Sequence, residues 1–407
     1  MSMVRNATLV AVLGLAAACS RPSTSESALA PGPKAADELQ RRLIEAEPGE
    51  VITLAAGRFE FTDGLSLDQA KVTVRGAGPD KTILSFKRQT GAGEGLLVTG
   101  DDVTLEGFAV EDTLGDGIKS KGADRITYRD LRVEWTRGPD PRNGAYGVYP
   151  VESRDVLIER VTVRGASDAG IYVGQSRNII VRDCIAELNV AGIEIENSSD
   201  ADVHRNIATR NAGGILVFDL PDLPVKDGSA IRVFDNQVTD NDTPNFAPPG
   251  NIVASVPSGT GIMVMAASGV HVFRNRLERN RTAHVLVAAY FLPVKDPAYD
   301  PLSRDIVLRD NVYGAGGADA QGMLQPLAKA LGGRLPPIVW DGVLGHGDKT
   351  ASPTLHVLEA PEVGFIDLGL GSTPVDLAAA RPKPDRPEPG APVPAEPAAV
   401  KLPQAGA

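Results

Sequence analysis

The chain has 407 residues, 42% of them apolar, two cysteines and a formal net charge of −11. That acidity argues against nucleic acid and anionic polysaccharide as general electrostatic partners, while leaving room for a local basic site. With one cysteine in a leader-like segment, the other has no partner for an intramolecular disulfide.

Residues 1–18 carry one basic residue, Arg5, then an apolar run and small residues before a cysteine in "LGLAAAC". The pattern reads as a lipoprotein signal peptide, with Cys19 acylated as the first mature residue. The run is too short for a spanning helix, so membrane contact is expected through the lipid alone. Ser20 rather than an aspartate follows the cysteine, which favours the outer membrane of the cell envelope for an exported protein. Residues 19–36, rich in Ser, Pro and Ala, read as a flexible tether. "DELQRRLIEA", 37–46, has helical spacing at Leu39, Leu43 and Ile44 and is expected to cap an open first coil, "GEVITLAAGRFEF".

From there a period takes over. Gly170, Gly192 and Gly214 recur 22 residues apart, opening "GIYV", "GIEI" and "GILV". Apolar residues alternate with variable ones, so Ile171, Ile193 and Ile215 face inward along short strands. Three strands and three turns in about 22 residues make one coil of a solenoid. The predicted fold is all-β, a single right-handed parallel β-helix with an N-terminal capping helix. The same step joins Gly95 to Gly117, Gly147 to Gly170 and Gly261 to His284, and the 47 residues from Gly214 to Gly261 read as one coil plus insertions. Asn206, Asn236 and Asn275 mark one turn, with Cys184 in the same place; Asn189, Asn211, Asn241 and Asn280 mark another. Stacked asparagines in turns are structural, and Cys184 reads as a small buried residue.

Two insertions, 219–228 and 242–258, leave and return around Leu216, Phe218, Met263 and Met265. That outward apolar patch requires a cover, either the loops themselves or a docked partner. "GMLQPLAKAL" and "LPPIVWDG" read as a closing helix and strand that end the solenoid, spanning 37–345. Residues 346–377 form a C-terminal extension, and the Pro/Ala-rich 378–407 is expected to be disordered.

The run "NGAYGVYPVESRDVLIERVTVRGASDAGIYVGQSRNIIVRD", followed by "AGIEIENS", "GGILVFDLP" and "TPNFAPPGNIV", resembles a family of bacterial exported parallel β-helix repeat proteins over roughly 37–345. The family's biochemical function is not established. Its wider relatives share the fold of pectate lyases, polygalacturonases and alginate epimerases, and fold alone transfers no activity. The resemblance also implies an exported partner bearing c-type haem; this chain has no C-x-x-C-H.

A site must therefore come from the outward residues. Lys119, Tyr149, Tyr172 and Glu194 fall on one line across successive coils, with Glu152, Gln175, Asn197 and Asp219 just beyond the strand ends. Flat rings with carboxylates suit sugar binding. Glu194 and Glu196 share a strand face ~6.5–7 Å apart, near the ~6.5–9.5 Å separation of inverting glycosidases, although Glu196 is expected to be exposed at the strand end. His204, His271, His346 and His356 lie off that face, and His284 is a lone histidine on it. No metal or cofactor is implied. The expected function is binding of a carbohydrate or cell-envelope polymer along 119–196. The alternatives are a scaffold for an exported redox partner through Leu216, Phe218, Met263 and Met265, and a polysaccharide hydrolase, lyase or epimerase using Glu194 and Glu196.

Overall fold

The computed structural model describes residues 27–91, 93–346, 349–350, 355–373, 375, 380–387 and 392–403; Cys19 and the leader lie outside them. Three parallel sheets of 11, 10 and 11 strands run along one axis, each coil but the last giving one strand to each sheet. We call them the first, second and third sheets in the order in which a coil enters them. In the third sheet Ile171, Ile193, Ile215 and Ile262 stand directly above one another. The 47-residue step is thus a single coil.

The alternation decides what fills the helix. Ile171, Val173, Ile193, Ile195, Ile215 and Val217 all point inward and are fully buried. Burying each such side chain contributes about 1.5–3 kcal/mol, and the stack repeats it coil after coil. Glycine recurs because the backbones approach closely at that corner. A Cβ on Gly192 would stand 2.5 Å from the Gly214 carbonyl oxygen and 2.8 Å from the Asn211 amide nitrogen. His284 takes the position at the end of this run, its Nε2 donating to the Gly314 carbonyl and its Nδ1 accepting from the Asn280 amide.

Two buried asparagine ladders brace the turns. Asn189 Nδ2 donates to Asn211 Oδ1, Asn211 to Asn241 and Asn241 to Asn280. In the other, Asn206, Asn236 and Asn275 donate onward to Asn311, which donates to Glu359. Cys184 sits below this second ladder, its amide donating to Asn206, and burial pushes its thiol up to about 12. The bend between first and second sheets is made by residues in the left-handed region, among them Asp130, Arg160, Asp183 and Arg205. Their side chains pair along the axis, Arg160 with Asp130 and Arg205 with Asp183, so each strained turn residue is also tied to the next coil.

The expected cap is present as a helix over Ala35–Glu45 with Leu39 and Leu43 buried. The C-terminal end differs from expectation in three respects. Stacking does not stop at 345: Leu355–Leu358 pairs with Ile306–Arg309 and Phe365–Asp367 with Ile338–Trp340, so part of the extension is a further coil. The short helix Gln325–Ala330 does not close the solenoid but packs over the third sheet through Leu324 and Ala328. The Pro/Ala-rich tail is not free either. Lys383 bridges Asp367, Arg386 donates to the carbonyls of Glu359, Ala360 and Val363, and residues 392–403 lie across the first sheet. There Glu396 pairs with Arg232 and Arg309, the Val400 amide donates to Asp202, and Asn178 donates to the Lys401 carbonyl. Prolines at 392, 394, 397 and 403 hold this segment extended before it docks, which lowers the entropy lost on ordering.

Candidate functional site

The site lies on the outer surface of the third sheet, where register carries Lys119 onto Tyr149, Tyr172 onto Glu194, and Glu194 onto Leu216 and Met263. One step along, Gly174, Glu196, Phe218 and Met265 form a second row. Half of this surface is filled by the chain itself. Leu216, Phe218, Met263 and Met265 are buried in one cluster with Val253, Val256, Tyr290, Tyr299 and Leu324. The apolar patch therefore offers no face to a partner, because both insertions, the 290–299 segment and the short helix cover it.

Several ligand candidates turn out to be structural. Asn197 is fully buried and holds the first insertion, donating to the carbonyls of Leu220 and Val225 and accepting from the Leu220 amide. Asp219 is buried at the root of that loop, accepts from the Gly228 amide, and is pushed up to about 7 by burial. Tyr299 donates to its carbonyl, tying a third segment to the same root. Gln175 stands in the left-handed region at a strand end, and Glu152 is exposed. Glu196 is not exposed at its strand end as its position suggested; the roof over it leaves only 7% of it accessible.

The remaining candidates meet at the edge of the covered half. Tyr146, Tyr149 and Tyr172 form a cluster with centroids 4.5–4.9 Å apart. The Tyr172 hydroxyl donates to Glu196 Oε1 at 2.5 Å. Asn251, from the second insertion, donates to Asp168 at 2.9 Å. Between them lies a cavity of about 270 Å³ lined by Tyr146, Asp168, Glu194, Glu196, Asn251 and the apolar roof of Leu220, Pro221, Leu223 and Ile252. Glu194 is 1% exposed, and its Oε2 has no hydrogen-bond partner among the described residues. At the open end Lys119 Nζ sits 4.8 Å above the Tyr149 ring and faces Asp116 and Glu94 at 3.5 and 3.7 Å.

Burial dominates the electrostatics. It pushes Asp168 up to about 7, helped by Asp116 and opposed by the Asn251 amide and the Tyr146 hydroxyl. It pushes Glu196 up to about 7, opposed by Tyr172 and reinforced by Asp168 and Asp219. Glu194, with Glu196 and Asp168 as neighbours, is held well above the carboxylate range. The cleft thus holds carboxyl groups that keep protons near neutrality, beside three aromatic rings. Hydrogen bonding to hydroxyls, ring stacking and proton donation are all within its chemistry.

Sequence reasoning missed Asp168, Tyr146 and Asn251. Strict alternation hides the first two: it breaks at the glycine, so Ala169 packs in the outer cluster while Ile171 faces the core, and Tyr146 sits in register with Ala169. Asn251 reaches Asp168 across 83 positions, a contact without any local signal. A larger open cleft, about 680 Å³, lies at the bend of the first and second sheets. Its arginines are already paired, Arg75 with Glu106, Arg160 with Asp130 and Arg164 with Glu187. Among the described residues no group of three or more His, Cys, Asp or Glu side chains is placed to hold a metal, and no helix is long and apolar enough to cross a membrane.

A sequence model described as the right-handed β-helix region matches residues 82–225. The fold is that of a right-handed parallel β-helix. No curated protein matches it in sequence. Among solved structures, the A-module of the Azotobacter vinelandii mannuronan C-5 epimerase AlgE4 is similar at a TM-score of 0.53 and 16% identity, over 80% of this chain and 90% of that one. The A-module of AlgE6 from the same organism gives 0.47 and 14%, over 80% and 94%. At such identities the likeness concerns the β-helix itself, and the site has to be judged on its own residues.

Proposed function

We propose that this β-helix protein binds a glycan at the third-sheet cleft, with one sugar ring beneath the roof and the adjoining polymer over Tyr149 and Lys119. One observation carries the reading: a cavity lined by Tyr146, Asp168, Glu194, Glu196 and Asn251, in which a buried Glu194 oxygen has no partner among the described residues. Its size falls just below the ~300–1,000 Å³ of drug-sized ligand pockets, which suits a single ring. Rings and carboxyls together match the apolar faces and hydroxyls of a pyranose. The structurally similar AlgE4 module is named as a mannuronan epimerase, so a β-helix can carry a polysaccharide site. An acyl anchor at Cys19 would hold the protein at the cell envelope, where such polymers occur.

A second reading, acid–base chemistry on the bound sugar, is favoured by the proton-holding Glu194 beside the Glu196–Tyr172 pair. A glycan panel screened with wild type, Tyr149→Ala and Glu194→Gln tests both. Binding predicts at least one retained glycan, with Tyr149→Ala weakening it by roughly 1 kcal/mol. Catalysis predicts a product from that glycan, and about 10²–10⁴-fold slower formation in Glu194→Gln. A wild-type protein that retains no glycan sinks the proposal.

A further inference from the structure

Three buried glutamates of the solenoid are neutralised by arginines, while the buried Asp219, Asp341 and Glu359 are held by backbone amides or by Asn and Tyr side chains. Glu111 has Arg58 and Arg132, Glu159 has Arg129 and Arg182, and Glu187 has Arg164 and Arg210. Two arginines on each of these three carboxylates follow from the cost of burying an unpaired charge. For Glu159 and Glu187 burial alone would raise the proton affinity, yet the flanking arginines outweigh it and keep both below the ordinary glutamate value.

The third-sheet cleft differs from both arrangements, because its acids share one cavity. Asp168, Glu194 and Glu196 converge on one cavity, and no lysine, arginine or histidine is among the residues that line it. Lys119 stays at the mouth, engaged with Asp116 and Glu94. Among the polar side chains of the described residues, only Asn251 and the tyrosine hydroxyls serve the three carboxyls, and Glu194 Oε2 is left with nothing. The charge deficit is not placed for a metal, which needs several oxygens around one point. Here the roof is carbon, from Leu220, Pro221, Leu223 and Ile252, and it suits an organic body carrying a cation. The Tyr146 ring adds a face that attracts an ammonium group.

Resting on the glycan reading, we infer that the sugar taken by this cleft is an amino sugar, held through its protonated primary amine by Asp168, Glu194 and Glu196. The ammonium supplies the three donors that the carboxyls lack, and the ring's carbon face meets the roof. A neutral sugar leaves the acids to hold their protons and gains no charge-assisted contact. A uronate would add a fourth carboxylate to it, so this site is opposite in charge preference to one built for mannuronan. On binding, the ammonium replaces protons held by the carboxyls, and those protons leave to solvent.

The test is calorimetric titration of the full-length protein with the β-1,4-glucosamine tetramer, its fully N-acetylated form and a mannuronate tetramer at pH 6. The amine form is expected to bind about tenfold or more tightly than the acetylated one, since acetylation removes a charge-assisted contact. Its measured heat should vary with the ionisation enthalpy of the buffer, reporting proton release. Glu194→Gln and Asp168→Asn, folded by circular dichroism, should each lose most of the preference for the amine while still binding the acetylated tetramer. Equal affinity for the amine and acetyl forms, or preference for the mannuronate, overturns the amine inference and leaves the glycan reading standing. Binding of none of the three overturns the amine inference, and the glycan panel then decides the broader reading.

Discussion

On the first sheet, the outward rings of His204, Phe234 and Phe273 stack 4.7 and 5.0 Å apart, with Arg232, Arg274 and Arg309 laid over them. The C-terminal segment crosses this face and brings Glu396 to two of those arginines. On the third sheet the outward rows run from tyrosines and carboxyls into Leu216, Phe218, Met263 and Met265, and the insertions close over them. Both faces belong to the same coils and both are covered by the chain's own segments. The difference lies in the counter-charge. The first-sheet cover supplies an acid to its basic face, whereas the third-sheet cover supplies no base to its acidic cleft. A binding site is better sought where the protein has left an electrostatic demand open than where it has met it.

The comparison breaks first on packing. Phe218 lies in a second apolar core, so Phe218→Ala should cost about 3–5 kcal/mol, while Phe234→Ala, beneath a single extended strap, should cost about 1–2 kcal/mol. Denaturant melts of the two variants measure this, and equal losses would mean that the strap packs as tightly as the loops.

Titration sharpens it next. Asp168 and Glu196, pushed up to about 7, bind protons more tightly folded than unfolded. Their contribution to stability is therefore complete below about pH 4 and falls as the pH rises towards 7, the reverse of an arginine-paired acid. The loss should be roughly 3–4 kcal/mol for one such carboxyl, since each tenfold difference in proton affinity between the folded and unfolded chain is worth about 1.4 kcal/mol, and the carboxyls of the cluster titrate together. An Asp168→Asn, Glu196→Gln double variant should flatten the stability profile between pH 4 and 7 and melt higher than wild type at pH 8. An unchanged slope would show that these carboxyls are solvated.

The smallest effect belongs to the strap. Glu396→Ala removes two partly exposed ion pairs and should cost no more than about 1 kcal/mol, fading with added salt. Hydrogen exchange at Val400, whose amide donates to Asp202, should quicken at the same time. A salt-independent loss of several kcal/mol would instead make the tail part of the core.

Much of this architecture is legible residue by residue. Gly192 and Ile193 announce the coil, Asn211 and Asn241 announce the ladder, and Leu216 with Met263 announces a surface that needs a cover. The site is legible only in part. Tyr149, Tyr172, Glu194 and Glu196 follow from alternation, whereas Tyr146 hides behind the break at Gly147. Asp168 and Asn251 meet only because an insertion folds back over the sheet. The tail misled for a related reason: proline-rich sequence without apolar periodicity lacks a core of its own, yet can dock extended on a face formed by distant coils.

What the sequence alone determined is the repeating part of the molecule: inward rows, asparagine turns and the strand face on which the acids and rings would line up. Those features rest on contacts between equivalent residues of neighbouring coils, so a period in the chain becomes a distance in space. The tertiary structure decided which outward residues are buried, which acids lack a counter-ion, and that Glu196 is enclosed and not exposed. These depend on insertions and termini whose contacts span tens to hundreds of residues, and no period in the chain encodes where such segments come to rest.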